Sequence, residues 1–206
     1  MKLITKYFSN LNNNQLNKFE SLFGIYSDWN SKINVISRKD LDNFYLRHVL
    51  HSMSIAKFHH FSSGTSIMDL GTGGGFPGIP LSILYPDVNF HLVDSISKKI
   101  KVVEDILKKL NLKNVEIYDD RAENIDITVN FVICRAVAPM QTLVSWVSKK
   151  VSGVHKPDRK NGLLCLKGGD IYAELKDFNE LEVVDLKTYF EESFFESKKL
   201  VYLPLN

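Results

Sequence analysis

Asp69, Gly71, Gly73 and Gly75 alternate with other residues in "MDLGTGGGFPGIP" (68–80), where glycine and proline are densest in the chain. A turn needs one glycine; several in succession imply a backbone that something approaches closely. Pro77 and Pro80 suit the first turn of a following helix, whose amides have no intrahelical partner. Asp94 ends the next apolar run, 23 residues after Gly71 (71 to 94). A glycine loop between a strand and a helix, with an acid at the end of the second strand, suits a nucleotide-type ligand. The helix N-terminus faces the ligand, and the acid accepts hydrogen bonds from ribose hydroxyls.

Two ligands compete for this loop. A dinucleotide motif, G-x-G-x-x-G, counted from Gly71 and Gly73 requires glycine where Phe76 stands. The pattern present is D-x-G-x-G-x-G. A carboxylate at Asp69 repels a pyrophosphate and attracts ammonium and sulfonium groups, which favours S-adenosyl-L-methionine over a nicotinamide cofactor. A turn without a ligand is the third reading.

The elements that must position these residues are legible as apolar runs. "SIMDL", "NFHLVD", "VEIYD", "FVICR" and "GLLCLKG" read as buried strands, and 77–86, 97–110 and 139–150 as the helices between them. This alternation predicts an α/β fold of βαβ units on a parallel sheet. "EVVDLKTYF" and "KKLVYLPL" predict two further strands, paired at one edge. Residues 1–63 read as a helical extension and 64–206 as the main domain. Leu16, Phe19, Phe23, Tyr26, Trp29 and Ile33 form one apolar stripe on a first helix, which assigns Tyr26 and Trp29 to packing. A second helix is expected to start near Ser37, where "SRKD" offers a capping-box-like pair, and to run through Leu41, Phe44, His48 and Ile55.

The chain has 206 residues, 44% of them hydrophobic, enough for one globular unit with its own core. No apolar run is long enough to cross a bilayer and "MKLITKYFSN" is a poor secretory signal, so a cytoplasmic protein without a membrane partner is expected. Cys134 and Cys165 sit in apolar runs without metal-ligand spacing, which predicts reduced core thiols and no metal. The net charge of +2 says little about partners. Lys98, Lys99, Lys101, Lys108 and Lys109 cluster, however, and "KKVSGVHKPDRKNG" (149–162) is basic, which together favour a polyanion. Candidate polyanion contacts are Arg47, Lys98, Lys99, Lys156, Arg159 and Lys167; His48 reads as a satisfied helix histidine.

The run from "DLGTGGGFPGIPLSILYPDVNFHLVDSISKKIK" through "DDRAENI", "ICRAVAPMQTLVSW" and "LCLKG", preceded by "YSDWNSKINVIS" and "RHVLHS", closely resembles the RsmG (GidB) family over nearly the whole chain. The resemblance implies a Rossmann-like class I S-adenosylmethionine-dependent methyltransferase fold, with a seven-stranded, mostly parallel sheet flanked by helices. It implies methylation of N7 of a guanine in 16S ribosomal RNA, within a ribosomal particle or precursor, which would make the candidate polyanion contacts RNA contacts; a monomer is expected. By position, Gly71 and Phe76 would line the methionine side of the cofactor, Asp94 would hold the ribose, and Ala122 and Glu123 would contact the adenine. Arg135 would be the catalytic arginine at the mouth of the site. His51 departs from the family's usual Asp, "GVHKPDRKNG" is longer than the usual turn, and "YLPLN" lacks the usual basic ending.

Guanine N7 offers a free lone pair, so its methylation needs no proton removed. The chain accordingly lacks the Asn-Pro-Pro-Tyr and Pro-Cys signatures of other nucleic-acid methyl transfers. The expected step is a direct in-line displacement without a general base, driven by orientation. Arg135 either holds guanine O6 or a phosphate, or pairs with Asp119, Asp120 or Glu123 as a brace. Phe76 either packs on the sulfonium or plugs the core. A nicotinamide-dependent oxidoreductase and a non-catalytic RNA-binding factor are the competing classes.

Overall fold

The five central apolar runs become parallel strands at the expected residues: β1 (Ser66–Leu70), β2 (Asn89–Asp94), β3 (Val115–Asp119), β4 (Phe131–Arg135) and β5 (Gly162–Gly168). The structure, a computed structural model, describes residues 1–154 and 159–205, without the side chain of Arg38. The C-terminal runs form β6 (Glu182–Asp185) and β7 (Lys198–Pro204). The sheet order is β3-β2-β1-β4-β5-β7-β6, and β7 runs antiparallel to both its neighbours. The chain leaves β1 in one direction for β2 and β3 and returns on its other side as β4. That reversal opens a crevice at the carboxyl ends of β1 and β4, where open α/β sheets bind ligands.

Alternating residues feed two cores. Ile67, Ile133, Leu164 and Leu166 point to the face covered by α5 (Gly78–Leu84), α6 (Ser97–Leu110) and the N-terminal segment. Met68, Leu70, Val132, Cys134 and Cys165 point to the face covered by α7 (Met140–Val147) and α8 (Tyr172–Leu175). Cys134 and Cys165 are free, buried and in register, with their sulfurs 3.1 Å apart. The neighbouring sulfur and burial push the Cys134 thiol pKa well up.

The N-terminal segment departs from two expectations. After α1 (Lys2–Tyr7), α2 (Asn13–Asn30) starts with a capping box between Asn12 and Gln15. It buries Phe19, Leu22, Ile25 and Tyr26 and leaves Phe23 41% exposed, a face rotated from the predicted stripe. The second predicted helix is instead a composite: a 3₁₀ turn (Arg38–Asn43), a π-helical turn (Tyr45–Leu50), α3 (His51–Met53) and α4 (Ile55–Phe58). Ser37 makes no side-chain cap, so the capping box expected there is not formed. The hydroxyls of Ser52 and Ser54 donate back to the carbonyls of His48 and His51, a local bonding that competes with a continuous helix.

Three polar side chains, through four hydrogen bonds, fasten α2 to the main domain. The Gln15 amide donates to the carbonyls of Ile83 and Leu84 at the end of α5, the Trp29 indole donates to Asp105 on α6 at 2.7 Å, and the Tyr26 hydroxyl donates to Gly74.

Candidate active site

The glycine loop leaves β1 at the crevice. Gly71 has a φ of +64°, and a Cβ there would meet the Val137 side chain at 2.8 Å. Only a bare backbone keeps that wall open. Asp69 corrects one expectation: its side chain lies beneath the loop, fully buried, and does not line the cleft. Strand alternation sets it on the face opposite Met68 and Leu70. One carboxylate oxygen accepts from the Thr72 hydroxyl at 2.6 Å and from the Gly78 amide at 2.7 Å. Burial pushes its pKa up to about 7. Asp69 therefore ties β1 to the loop and to the start of α5, away from the cleft surface at which a cation-selecting charge is expected. Gly75 also faces inward: its φ is +97° and a Cβ there would meet Ile79 at 2.5 Å.

Asp94 stands in the cleft wall at the end of β2. Its two oxygens accept from the backbone amides of Gly73 (2.7 Å) and Ile96 (2.9 Å), which holds the carboxylate between the two loops that follow β1 and β2. Ala122 and Glu123, in the 3₁₀ turn Ala122–Asn124 after β3, line the same cleft beside Gly71, Gly73 and Lys99. The cleft encloses about 600 Å³.

The N-terminal segment completes the lining. Val35, Ile36, Ser37 and His48 line the cleft too, His48 against Phe76 and Arg135 and Val35 against Gly74. The Arg135 guanidinium, at the end of β4, donates to the Arg47 carbonyl and to His48 Nδ1, both at 3.1 Å. It also lies over the Phe76 ring, 5.1 Å from its centre. Neither Asp119, Asp120 nor Glu123 forms an ion pair with it among the described residues, so the brace expected from those acids is not the one observed. Burial lowers the Arg135 pKa to about 10, which leaves it cationic at neutral pH. Phe76 is buried among Tyr26, Phe44 and His48, so its cationic neighbour in this structure is Arg135. Burial and the Arg135 charge hold the His48 pKa at about 4.

The expected RNA contacts scatter. Lys99 lines the cleft, while Lys98 is exposed outside its lining. Arg47 is exposed and pairs with Asp40 at 2.5 Å. Lys167 does not reach the cleft: its ammonium bonds the Ala138 carbonyl and Glu174, and Glu174 in turn accepts from the Met140 amide at the start of α7. Arg159 pairs with Glu182 and stacks on Phe58 and Tyr202 near the start of β5, at the opposite end of the sheet. Lys156 lies outside the described residues.

Sequence reasoning missed the cleft wall at Val35–Ser37 and the bond from Arg135 to His48. The segments "YSDWNSKINVIS" and "RHVLHS" carry the family resemblance, but their place in the site depends on where the N-terminal segment docks.

Comparison with known proteins bears on this site. The GidB family model, described as rRNA small subunit methyltransferase G, matches residues 15–201. The chain is 52% identical over 205 residues to a ribosomal RNA small subunit methyltransferase G of Christiangramia forsetii, covering 100% of this chain and 97% of that one. It is 48% identical over 206 residues to the protein of that name from Bacteroides fragilis, covering all of both chains. Among solved structures, a SAM-dependent O-methyltransferase of Thermotoga maritima aligns with a TM-score of 0.60 at 13% identity, over 81% of this chain and 70% of that one. A SAM dependent methyltransferase of Aquifex aeolicus aligns at 0.56 and 16% identity, over 81% of this chain and 97% of that one. These two likenesses give the Rossmann-like fold. The family match and the full-length identities establish that the chain belongs to the GidB family of rRNA small subunit methyltransferases.

Proposed function

We propose that this protein transfers the methyl group of S-adenosyl-L-methionine to N7 of a guanine in 16S ribosomal RNA, within a ribosomal particle or its precursor. The observation that carries the reading is one cleft, in a chain of this family, that is lined together by the glycine loop, Asp94 and Arg135. Residues 1–63 act in this reading as an extension that completes the cleft.

The residues fit the cofactor. Gly71 and Gly73 present bare backbone, Phe76 lines the methionine side, the Asp94 carboxylate suits the ribose hydroxyls, and Ala122 and Glu123 suit the adenine. When bound, S-adenosylmethionine supplies an electrophilic methyl group on a sulfonium.

The chain's own residues bind and orient. Arg135 has five N–H donors, two of them engaged among the described residues, and the remainder are suited to hold guanine O6 or a neighbouring phosphate. Holding two reactants in line is worth roughly 7 to 11 kcal/mol, much of such a barrier. No group needs to remove a proton from N7, and the cleft is arranged accordingly. His48 has Nδ1 taken by Arg135 and Nε2 buried, and Asp69, although its pKa lies near neutrality, is sealed under the loop.

The test is labelled methyl transfer from S-adenosylmethionine to ribosomal RNA, followed by mass spectrometry of its nucleosides. Label in 7-methylguanosine is expected. Label in another nucleoside would overturn the position, and RNA binding without incorporation would support a non-catalytic factor instead.

A further inference from the structure

The guanidinium of Arg135 is oriented by two neutral acceptors from one π-helical turn. Tyr45–Leu50 is wound so that the His51 amide reaches back five residues to the Leu46 carbonyl, a geometry that concentrates at functional sites. From this turn the Arg47 carbonyl and the His48 ring both receive Arg135, at 3.1 Å each. Arginine only donates, so His48 Nδ1 accepts and the imidazole is neutral with its proton on Nε2. The ring is held between Phe44, 6.1 Å away and nearly parallel, and Phe76, at 5.1 Å. Phe76 also underlies the guanidinium itself.

We propose that His48 is a positioning residue for Arg135, a neutral clamp that fixes the direction of the guanidinium without cancelling its charge. The proposal rests on the role given to Arg135 above. A carboxylate in the same place would form an ion pair and offer the substrate a neutralised group. Carbonyl and imidazole acceptors set the direction without forming an ion pair, and the carboxylates of Asp69 and Asp40 act on the guanidinium only through space, beyond ion-pair distance. No acidic side chain pairs with Arg135 within ion-pair distance among the described residues, as this arrangement requires. Burial keeps the imidazole neutral, which preserves it as an acceptor.

The experiment measures methyl transfer kinetics on the full-length protein for His48→Phe, His48→Asn, Arg135→Ala and the double variant His48→Phe/Arg135→Ala. Binding of S-adenosylhomocysteine is measured by calorimetry and folding by circular dichroism. Phe keeps the ring stack and removes the acceptor; Asn returns an oxygen near the place of Nδ1. His48→Phe is expected to lower kcat/KM about tenfold with S-adenosylhomocysteine affinity nearly unchanged, and His48→Asn to recover most of the loss. In the Arg135→Ala background the Phe change is expected to cost nothing further. Equal losses from His48→Phe in both backgrounds, or no rescue by Asn, would overturn the clamp and leave His48 a packing residue. If Arg135→Ala itself keeps full activity, the role of Arg135 fails first and the clamp falls with it. Should His48→Phe not fold, His48→Leu replaces it, an apolar side chain with no acceptor.

Discussion

The Tyr26 hydroxyl donates to the Gly74 carbonyl at 2.5 Å, a buried bond that crosses 48 residues of chain and fastens α2 to the glycine loop. The same ring packs on Phe76, 4.9 Å between centres, so one tyrosine supports both the loop backbone and the aromatic floor under Arg135.

Tyr26→Phe removes the donor and leaves a buried carbonyl without its partner. The expected cost is about 1 to 3 kcal/mol in urea unfolding. Weaker S-adenosylhomocysteine binding by calorimetry is expected alongside, because the loop loses its anchor. Unchanged stability would show that the carbonyl finds another donor.

Asp69 makes stability depend on pH in an unusual direction. Its pKa rises on folding from the ordinary 3.8 to about 7. The folded chain therefore keeps a proton that the unfolded chain has already lost, and stability falls as pH rises from about 4 to about 7, then levels off. A tenfold difference in proton affinity between the folded and unfolded chain corresponds to about 1.4 kcal/mol. Asp69→Asn keeps an oxygen for Thr72 and Gly78 but does not titrate. Urea unfolding at several pH values is expected to show wild type losing stability relative to this variant across that window. Parallel curves would place the Asp69 pKa below it.

Asp94→Ala removes the acceptor that joins Gly73 to Ile96 and the group assigned to the ribose. Affinity for S-adenosylhomocysteine is expected to fall roughly 10- to 100-fold, the range for losing hydrogen bonds to a charged group. Calorimetry checks it, and wild-type affinity would remove Asp94 from the site.

Lys167 and Lys99 separate by salt dependence. Lys167 is a half-buried brace for Glu174, and Lys99 faces the cleft. Lys167→Met is expected to lower stability while leaving the salt slope of RNA binding unchanged. Lys99→Met is expected to reduce that slope by about one phosphate contact. The reverse pattern in filter binding at several salt concentrations would exchange the two roles.

The sheet is legible in the sequence because its strands are continuous apolar runs bounded by loops, and "SIMDL" or "FVICR" has few other uses in a chain of this size. The N-terminal segment is not. Apolar residues surround much of α2, so its buried face is chosen by docking against α5 and α6, and Leu22 is taken inward while Phe23 is left out. Ser52 and Ser54 break the second helix through bonds that periodicity does not register. In the site, Gly71, Gly73, Phe76, Asp94, Ala122, Glu123 and Arg135 come together in one cleft. Asp69 departs because a loop motif carries no information about strand alternation: Met68 and Leu70 on one face require Asp69 on the other.

The contacts of Arg135 lie 87 and 88 residues earlier in the chain. During synthesis the π-helical turn emerges long before β4, so its two acceptors wait for a donor that has not yet been made. Closing so long a loop is slow beside forming a helix. A nascent molecule whose glycine loop has already formed therefore lacks an aligned guanidinium until the first segment docks. The direction of the guanidinium is thus a property of the assembled fold, which neither the first segment nor the sheet holds alone.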